Sequence, residues 1–227
     1  MLRKNGRISV KGRSSVERHE EAAMVAGPRF WPEIFSAVTM VLPSIYAAVA
    51  SPGFAATSTS PTPIWALVYV TFIHCLASVS YHLQCAFHAG TTWNRLESGF
   101  RVADMVLIHA SCCTYGWAVA RGQAAGFAPA SLLANLMGAG ILLWRRALGL
   151  PGRDADSYMV IACIFLYTLG MARRGDWANY LGTMLGYGVG GAFWAANRRL
   201  GGWGHGLFHA ALVPCIHCVM RSAAVSV

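Results

Sequence analysis

Seven long apolar segments, separated by short polar loops, are the feature that most restricts the fold of this 227-residue chain. All but one, the 15-residue segment at 158–172, are close to the roughly 20 residues that an α-helix needs to cross the hydrocarbon core of a bilayer. Only 12% of the residues are charged, about half the share found in soluble domains. The segments lie at about residues 31–50, 64–83, 102–120, 124–144, 158–172, 177–196 and 203–220. We therefore predict an all-α fold, a bundle of seven transmembrane helices in a multi-pass membrane protein, without a second soluble domain.

The chain divides into a basic tail at 1–29, a membrane domain at 30–221 and a short tail at 222–227. In the first tail no apolar core follows the initial charges promptly, as it would in a cleavable signal peptide. We expect this tail to be disordered, cytoplasmic and bound to anionic lipid. The net charge of +9 is spread over many loops, so we do not predict a nucleic-acid partner.

The orientation follows from the distribution of Lys and Arg. If the seven segments all span the membrane, 14 of these residues lie on the side of the N-terminus and 4 on the other side. Cytoplasmic loops carry the excess of positive charge in membrane proteins. We therefore predict a cytoplasmic N-terminus and an extracytoplasmic C-terminus.

Two histidines, His205 and His209, begin the last apolar segment. A spacing of four residues places both rings on one face of a helix, where two neutral imidazoles can bind one metal ion such as Zn²⁺. In the predicted topology, His82 at the end of the second segment lies at the same cytoplasmic depth. Asp104, near the start of the third, shares that depth. The sequence therefore predicts a site of three histidines and one carboxylate.

Apart from Glu33 at the mouth of the first apolar segment, Asp104 is the only acid well inside a segment, and intramembrane acids are usually functional. An ion pair with Arg101 at the interface is the alternative. Ser78 lies one helical turn before His82, on the same face. It can take part in the site or bond to its own helix backbone.

The remaining histidines and all the cysteines are assigned to packing or to the interface. His74 and His217 are each eight residues from a predicted ligand, about 12 Å along a helix, and His109 is turned away from Asp104. The cysteines form no spaced framework in a polar loop, which favours small buried residues. Gly182, Gly186 and Gly190 repeat a spacing that lets membrane helices approach closely.

Three patches of the sequence carry a family resemblance. They are Ser78-x-x-x-His82, Arg101-x-x-Asp104 and His205-x-x-x-His209. Together they resemble the CREST-type superfamily of seven-span proteins, which includes progestin and adipoQ receptors, hemolysin III proteins and alkaline ceramidases. The resemblance implies zinc at His82, His205 and His209. It also implies that Asp104 holds or activates the zinc-bound water, with support from Ser78.

Elementary chemistry points to the same reaction class. Three protein ligands leave one tetrahedral position open, as in catalytic zinc sites, and zinc lowers the pKa of its water toward about 7. Asp104 can carry the proton and Ser78 can bond to a developing oxyanion. We therefore expect a zinc-dependent intramembrane hydrolase of lipid amides or esters, ceramidase-like in its chemistry.

Two other functions remain open. One is a membrane receptor of the adipoQ or progestin kind, or a hemolysin III-like protein, in which the zinc is structural and the membrane lipid is a ligand. The other is a haem protein, with His82 and either His205 or His209 as axial ligands.

Overall fold

The computed structural model describes residues 29–120, 126–150 and 156–225, which form seven α-helices and one short 3₁₀-helix and contain no strand. The predicted all-α class is thus confirmed for these residues. The structure of residues 1–28, most of the predicted tail, lies outside the described part. The helices are α1 (Phe30–Thr57), α2 (Thr62–Phe87), the 3₁₀-helix (Arg95–Glu97), α3 (Gly99–Val119), α4 (Phe127–Ala147), α5 (Asp156–Arg173), α6 (Trp177–Ala195) and α7 (Gly204–Ala224).

The predicted segments agree with these helices within four residues, except at the end of α1. We expected a loop over 51–63, but α1 continues to Thr57 and passes through Pro52. A proline inside a helix leaves the carbonyl four residues earlier without its N–H donor. Here that carbonyl belongs to Ala48, and it accepts a hydrogen bond of 2.9 Å from Ser51 Oγ. This local replacement is a physical reason for the longer helix. At the other end of the chain, α7 extends past the predicted tail boundary at 222.

Helices that follow one another in the chain pack side by side, and α1 closes the ring by packing on α7. α7 also touches α2 and α3, and α3 also touches α5. The start of α1, the end of α2 and the start of α7 consequently meet at one end of the bundle.

The opposite end of the bundle holds the main hydrophobic core, which we call the apolar end. It contains residues from the second halves of α3 and α7, the start of α2, α5 from Cys163 onward, and Ala47 of α1. Its buried members are Ala47, Ile64, Leu67, Cys112, Tyr115, Ala118, Val119, Cys163, Tyr167, Met171, Ile216, Val219, Met220, Ala223 and Ala224. Burial of these side chains away from the polar site supports the bundle.

The glycines of α6 lie against α7. A Cβ on Gly182 would lie 2.6 Å from Cys218 Sγ, and one on Gly190 would lie 2.9 Å from Phe208 Cδ2. Real Cβ atoms do not come this close to their neighbours. The packing role predicted for this small-residue stripe is therefore confirmed.

Five helices in the described part are long and apolar enough to cross a membrane: α1, α2, α3, α4 and α7. Large apolar side chains face outward, such as Val49 on α1 and Leu133 on α4, which are 77% and 62% exposed. An exposed apolar surface of this kind suits lipid contact. The architecture is consistent with a helical membrane bundle. That all seven helices span the bilayer, and that the N-terminus is cytoplasmic, remain predictions.

Candidate metal centre

The rings of His82, His205 and His209 converge at the end of the bundle opposite the apolar core, which we call the histidine end. Each histidine offers one ligand atom, and these three atoms all lie within 4.8 Å of one another. The ring centroids are 4.7 to 5.1 Å apart. The convergence expected from their positions in sequence is thus present, although 123 residues separate His82 from His205. Three nitrogen ligands in this arrangement could hold a metal ion.

The start of α7 is built to place His205 and His209 close to their neighbours. A Cβ on Gly204 would lie 2.7 Å from Cα of Asn197, and one on Gly206 would lie 2.6 Å from Cε1 of Phe35. The glycines on either side of His205 therefore let α7 approach both α1 and the chain that follows α6. Asn197 Oδ1 also accepts a 2.9 Å hydrogen bond from the backbone N–H of His205, which satisfies one of the free donors at a helix start.

Helix α1 contributes no histidine but holds two of the three rings. Glu33 Oε2 lies 2.6 Å from His82 Nδ1, and the carbonyl oxygen of Ser36 lies 3.0 Å from His209 Nδ1. Both oxygens accept, so Nδ1 donates in each ring and, in the neutral ring, Nε2 carries the lone pair. Histidine ligands in metal sites are usually oriented by such bonds to carboxylates or carbonyls.

The donor set fits a metal ion. His82 is 1% exposed and His209 is 4% exposed. His82 Nε2 is buried and has no hydrogen-bond partner within the described residues. A buried nitrogen lone pair without a donor is costly, and a cation shared with the other two rings would satisfy it. Neutral imidazole nitrogens are ligands that Zn²⁺ accepts.

Asp104 is hydrogen-bonded to α2, the helix that carries His82, and Ser78 belongs to the same helix. Asp104 Oδ1 accepts a 3.2 Å hydrogen bond from His74 Nε2. Ser78 is buried on α2, one turn from His82. Helix α2 thus presents His74, Ser78 and His82 at four-residue intervals along one face.

The start of α3 explains why Asp104 reaches His74. Ser98 caps α3 by accepting from the N–H of Arg101, and its hydroxyl also donates to Oε1 of Gln84. α3 therefore begins beside Gln84, three residues before the end of α2. Asp104 is six residues after Ser98 on α3, and Ser78 is six residues before Gln84 on α2. Because the helical rise is the same on both, Asp104 lies level with Ser78, midway between His74 and His82.

Arg101, the alternative partner considered for Asp104, has Nη1 3.8 Å from Oδ2 of Asp156 at the start of α5. The bond between Asp104 and His74 links α3 to α2 instead.

Sequence analysis did not assign Glu33, Ser36 or His74 to the site. Glu33 carried a usable signal, because an acid in an apolar segment is costly to insert. His74 carried one as well, since it shares a helix face with Ser78 and His82. Ser36 acts through its backbone carbonyl, which no residue pattern reveals.

Other histidines behave as predicted. His109 is buried and hydrogen-bonded to Asn135 Oδ1 at 2.9 Å. His217 is hydrogen-bonded to Tyr46 and packs on Phe54. All seven cysteines are free, five of them buried, which agrees with a packing role.

No family model matches the chain, and no curated protein or solved structure matches it either.

Proposed function

We propose that this chain is a seven-span membrane protein of the CREST-type superfamily that hydrolyses an amide or ester bond of a membrane lipid with zinc held by His82, His205 and His209. One observation carries the proposal: three histidines from two helices, two of them buried, offer ligand atoms within 4.8 Å of one another. Two of the rings are fixed through Nδ1, and Asp104 is bonded to His74 on the helix that carries His82. Metal sites with three protein ligands and a carboxylate nearby are typical of hydrolytic zinc.

The proposed topology has seven spans with a cytoplasmic N-terminus. It rests on the distribution of Lys and Arg and on the sequential packing of the seven helices in the described part. The histidine end then faces the cytoplasmic leaflet, and the natural substrate is a lipid that enters from the bilayer.

Each side chain has a defined task in this reaction. Zinc, when bound, supplies a Lewis acid and lowers the pKa of water to near neutrality. Asp104 accepts a proton and returns it to the leaving amine or alkoxide. Ser78 donates a hydrogen bond to the oxygen on which negative charge develops. His82 and His209 are buried, and electrostatic interactions are stronger away from bulk water.

A structural metal is the second candidate, as in a receptor or a hemolysin III-like protein. It is favoured by the way the site ties the bundle together. His82 belongs to α2, His205 and His209 belong to α7, and α1 is hydrogen-bonded to a ring on each. A metal ion there would fasten three helices even without turnover.

The haem alternative fits the geometry poorly. A macrocycle would have to lie between His82 and one of the other two rings. The ring of His82 instead makes edge contacts with those of His205 and His209, at centroid distances of 4.8 and 5.1 Å. No slot for a flat macrocycle exists between rings in direct contact.

The test begins with the metal content of the purified, detergent-solubilised protein. We expect about one zinc per chain and its loss in His205→Ala and in His209→Ala. His217→Ala, on the same helix but outside the site, is the matched control and should keep zinc. Zinc retained in the double variant of His205 and His209 would overturn the proposed site.

Turnover separates the two candidates. The zinc-loaded protein is incubated with a panel of lipid amides and esters, and free fatty acid is measured. A hydrolase should release fatty acid and lose that activity in Asp104→Asn while keeping its zinc. Zinc binding without release of fatty acid from any member would favour the structural metal.

A further inference from the structure

We propose that His74 is a positioning residue of the site, which fixes the carboxylate of Asp104 for proton transfer. This inference rests on the proposed function, because it assigns Asp104 the role of proton carrier. It starts from one contact: His74 Nε2 lies 3.2 Å from Asp104 Oδ1. His74 itself is not expected to touch substrate or metal.

The direction of this hydrogen bond follows from the atoms involved. A carboxylate oxygen only accepts, so Nε2 of His74 carries the proton and donates it. The side chains of His74 and Asp104 are 13% and 12% exposed. Because the pair is largely shielded from water, one charge-assisted bond has a large effect on where the carboxylate sits.

The hydrogen bond gives the two carboxylate oxygens of Asp104 different roles. Oδ1 is held by His74, so proton transfer falls to Oδ2. A carboxylate that could rotate freely would offer either oxygen and spend little time in a reactive orientation, and correct orientation is a major part of general-base efficiency. His74 therefore acts on the reaction through Asp104.

A second pair in the bundle has the same two kinds of side chain with their roles exchanged. There Glu33, a carboxylate, orients His82, a proposed ligand. In the pair of His74 and Asp104, a histidine on α2 orients a carboxylate on α3. Both pairs join neighbouring helices. The proposed ligand His82 and the proposed proton carrier Asp104 are thus each oriented by a side chain of the adjacent helix.

The test uses two substitutions that separate shape from hydrogen bonding. His74→Phe keeps a planar ring but removes the donor, whereas His74→Gln keeps an amide N–H donor. We expect His74→Phe to lower kcat by about 10- to 100-fold with KM and zinc content nearly unchanged. His74→Gln should recover at least part of that loss. His217→Phe, outside the site, is the control and should keep kcat.

A double-variant cycle shows whether His74 works through Asp104. In the background of Asp104→Asn, adding His74→Phe should cause no further loss, because the carboxylate it positions is gone. Independent, multiplying losses would overturn the proposal. So would a normal kcat in His74→Phe, or a His74→Gln protein that is as impaired as His74→Phe.

A readout without turnover distinguishes this inference from the proposed function. In protein loaded with Co²⁺, the visible absorption bands of the metal respond to groups bonded around its ligands. His74→Phe and Asp104→Asn should change these bands alike and not additively, while His74→Gln resembles the unmodified protein. These changes in a protein that shows no hydrolysis would reject the hydrolase and keep the positioning role. Unchanged bands and unchanged kcat in His74→Phe would reject the positioning role and keep the hydrolase.

Discussion

The two ends of the bundle are built from the same helices but from different kinds of residue. At the apolar end, Tyr167, Val219 and Met220 are completely buried among other apolar side chains. At the histidine end, the buried side chains include His82 and His209. Burying polar groups costs free energy unless each one finds a partner, whereas burying apolar groups is favourable.

This difference indicates that the two ends of the bundle have different roles: one stabilises the fold, and the other carries the candidate site. The apolar end can hold α2, α3 and α7 together without help from the polar groups. The histidine end can then keep a cluster of imidazoles that would not stabilise the fold without a ligand. Functional sites commonly break the rules of packing that the rest of the molecule follows. Substitutions at the two ends should therefore separate stability from metal binding.

The largest effect is expected from His209→Leu. Loss of one of three ligands should weaken zinc binding by more than the roughly 10- to 100-fold typical of an outer-shell change. The metal-free variant should be at least as stable as the metal-free parent, because a buried polar ring is replaced by an apolar side chain. Zinc competition with a chelator and denaturation of both metal-free proteins measure these effects. A metal-free variant that fails to fold would contradict the division between the ends.

A cavity at the apolar end should lower stability and leave zinc binding unchanged. Met220→Ala removes a fully buried side chain and should lower the free energy of unfolding by about 2–5 kcal/mol. Zinc per folded chain should stay unchanged, because Met220 lies far along α7 from His209. Unfolding in denaturant together with metal analysis of the folded fraction tests this. Loss of zinc from the folded protein would show that the ends are coupled.

Overpacking between α6 and α7 should have a smaller cost. A Cβ on Gly182 would lie 2.6 Å from Cys218 Sγ, so Gly182→Ala should destabilise by about 1–3 kcal/mol. Cys218→Ala removes the sulfur and should restore most of the loss in the double variant, as a double-mutant cycle in thermal unfolding can measure. Additive losses would place the strain elsewhere.

The mildest change is expected from Glu33→Gln at the histidine end. The amide keeps an oxygen that can accept from His82 Nδ1 but removes the negative charge, so zinc affinity should fall by about tenfold with little change in stability. Glu33→Leu, which has no acceptor, is the sharper comparison and should lose more. Equal zinc affinity in all three proteins would show that the contact between Glu33 and His82 does not support the metal.

Apolar runs and charge counts were sufficient to predict the helices, because length and hydrophobicity decide which segments can span a bilayer. The convergence of His82 with His205 and His209 was predictable for a related reason. Helices that alternate in direction bring the end of one to the level of the start of the next.

What sequence could not provide was the offset between neighbouring helices. Residue counting treats each helix end as level with the next helix start. The contact of Ser98 with Gln84 moves α3 by about one turn along α2, so Asp104 meets His74. The extension of α1 past Pro52 also depends on one side-chain bond, from Ser51 to the carbonyl of Ala48. The contact between Ser98 and Gln84 forms only after α2 and α3 have packed together.

The packing of α1 on α7 has a consequence for the order in which the protein is made. A ribosome makes α7 after α1 and α2, and until then the growing chain holds one histidine of the triad, His82, together with Glu33 from α1. Occupancy of the proposed site therefore begins only when α7 has met α1 and α2. A bound ion would mark the chains in which α7 has packed on α1, and a cell that removes incompletely assembled proteins could distinguish the two populations by that single event.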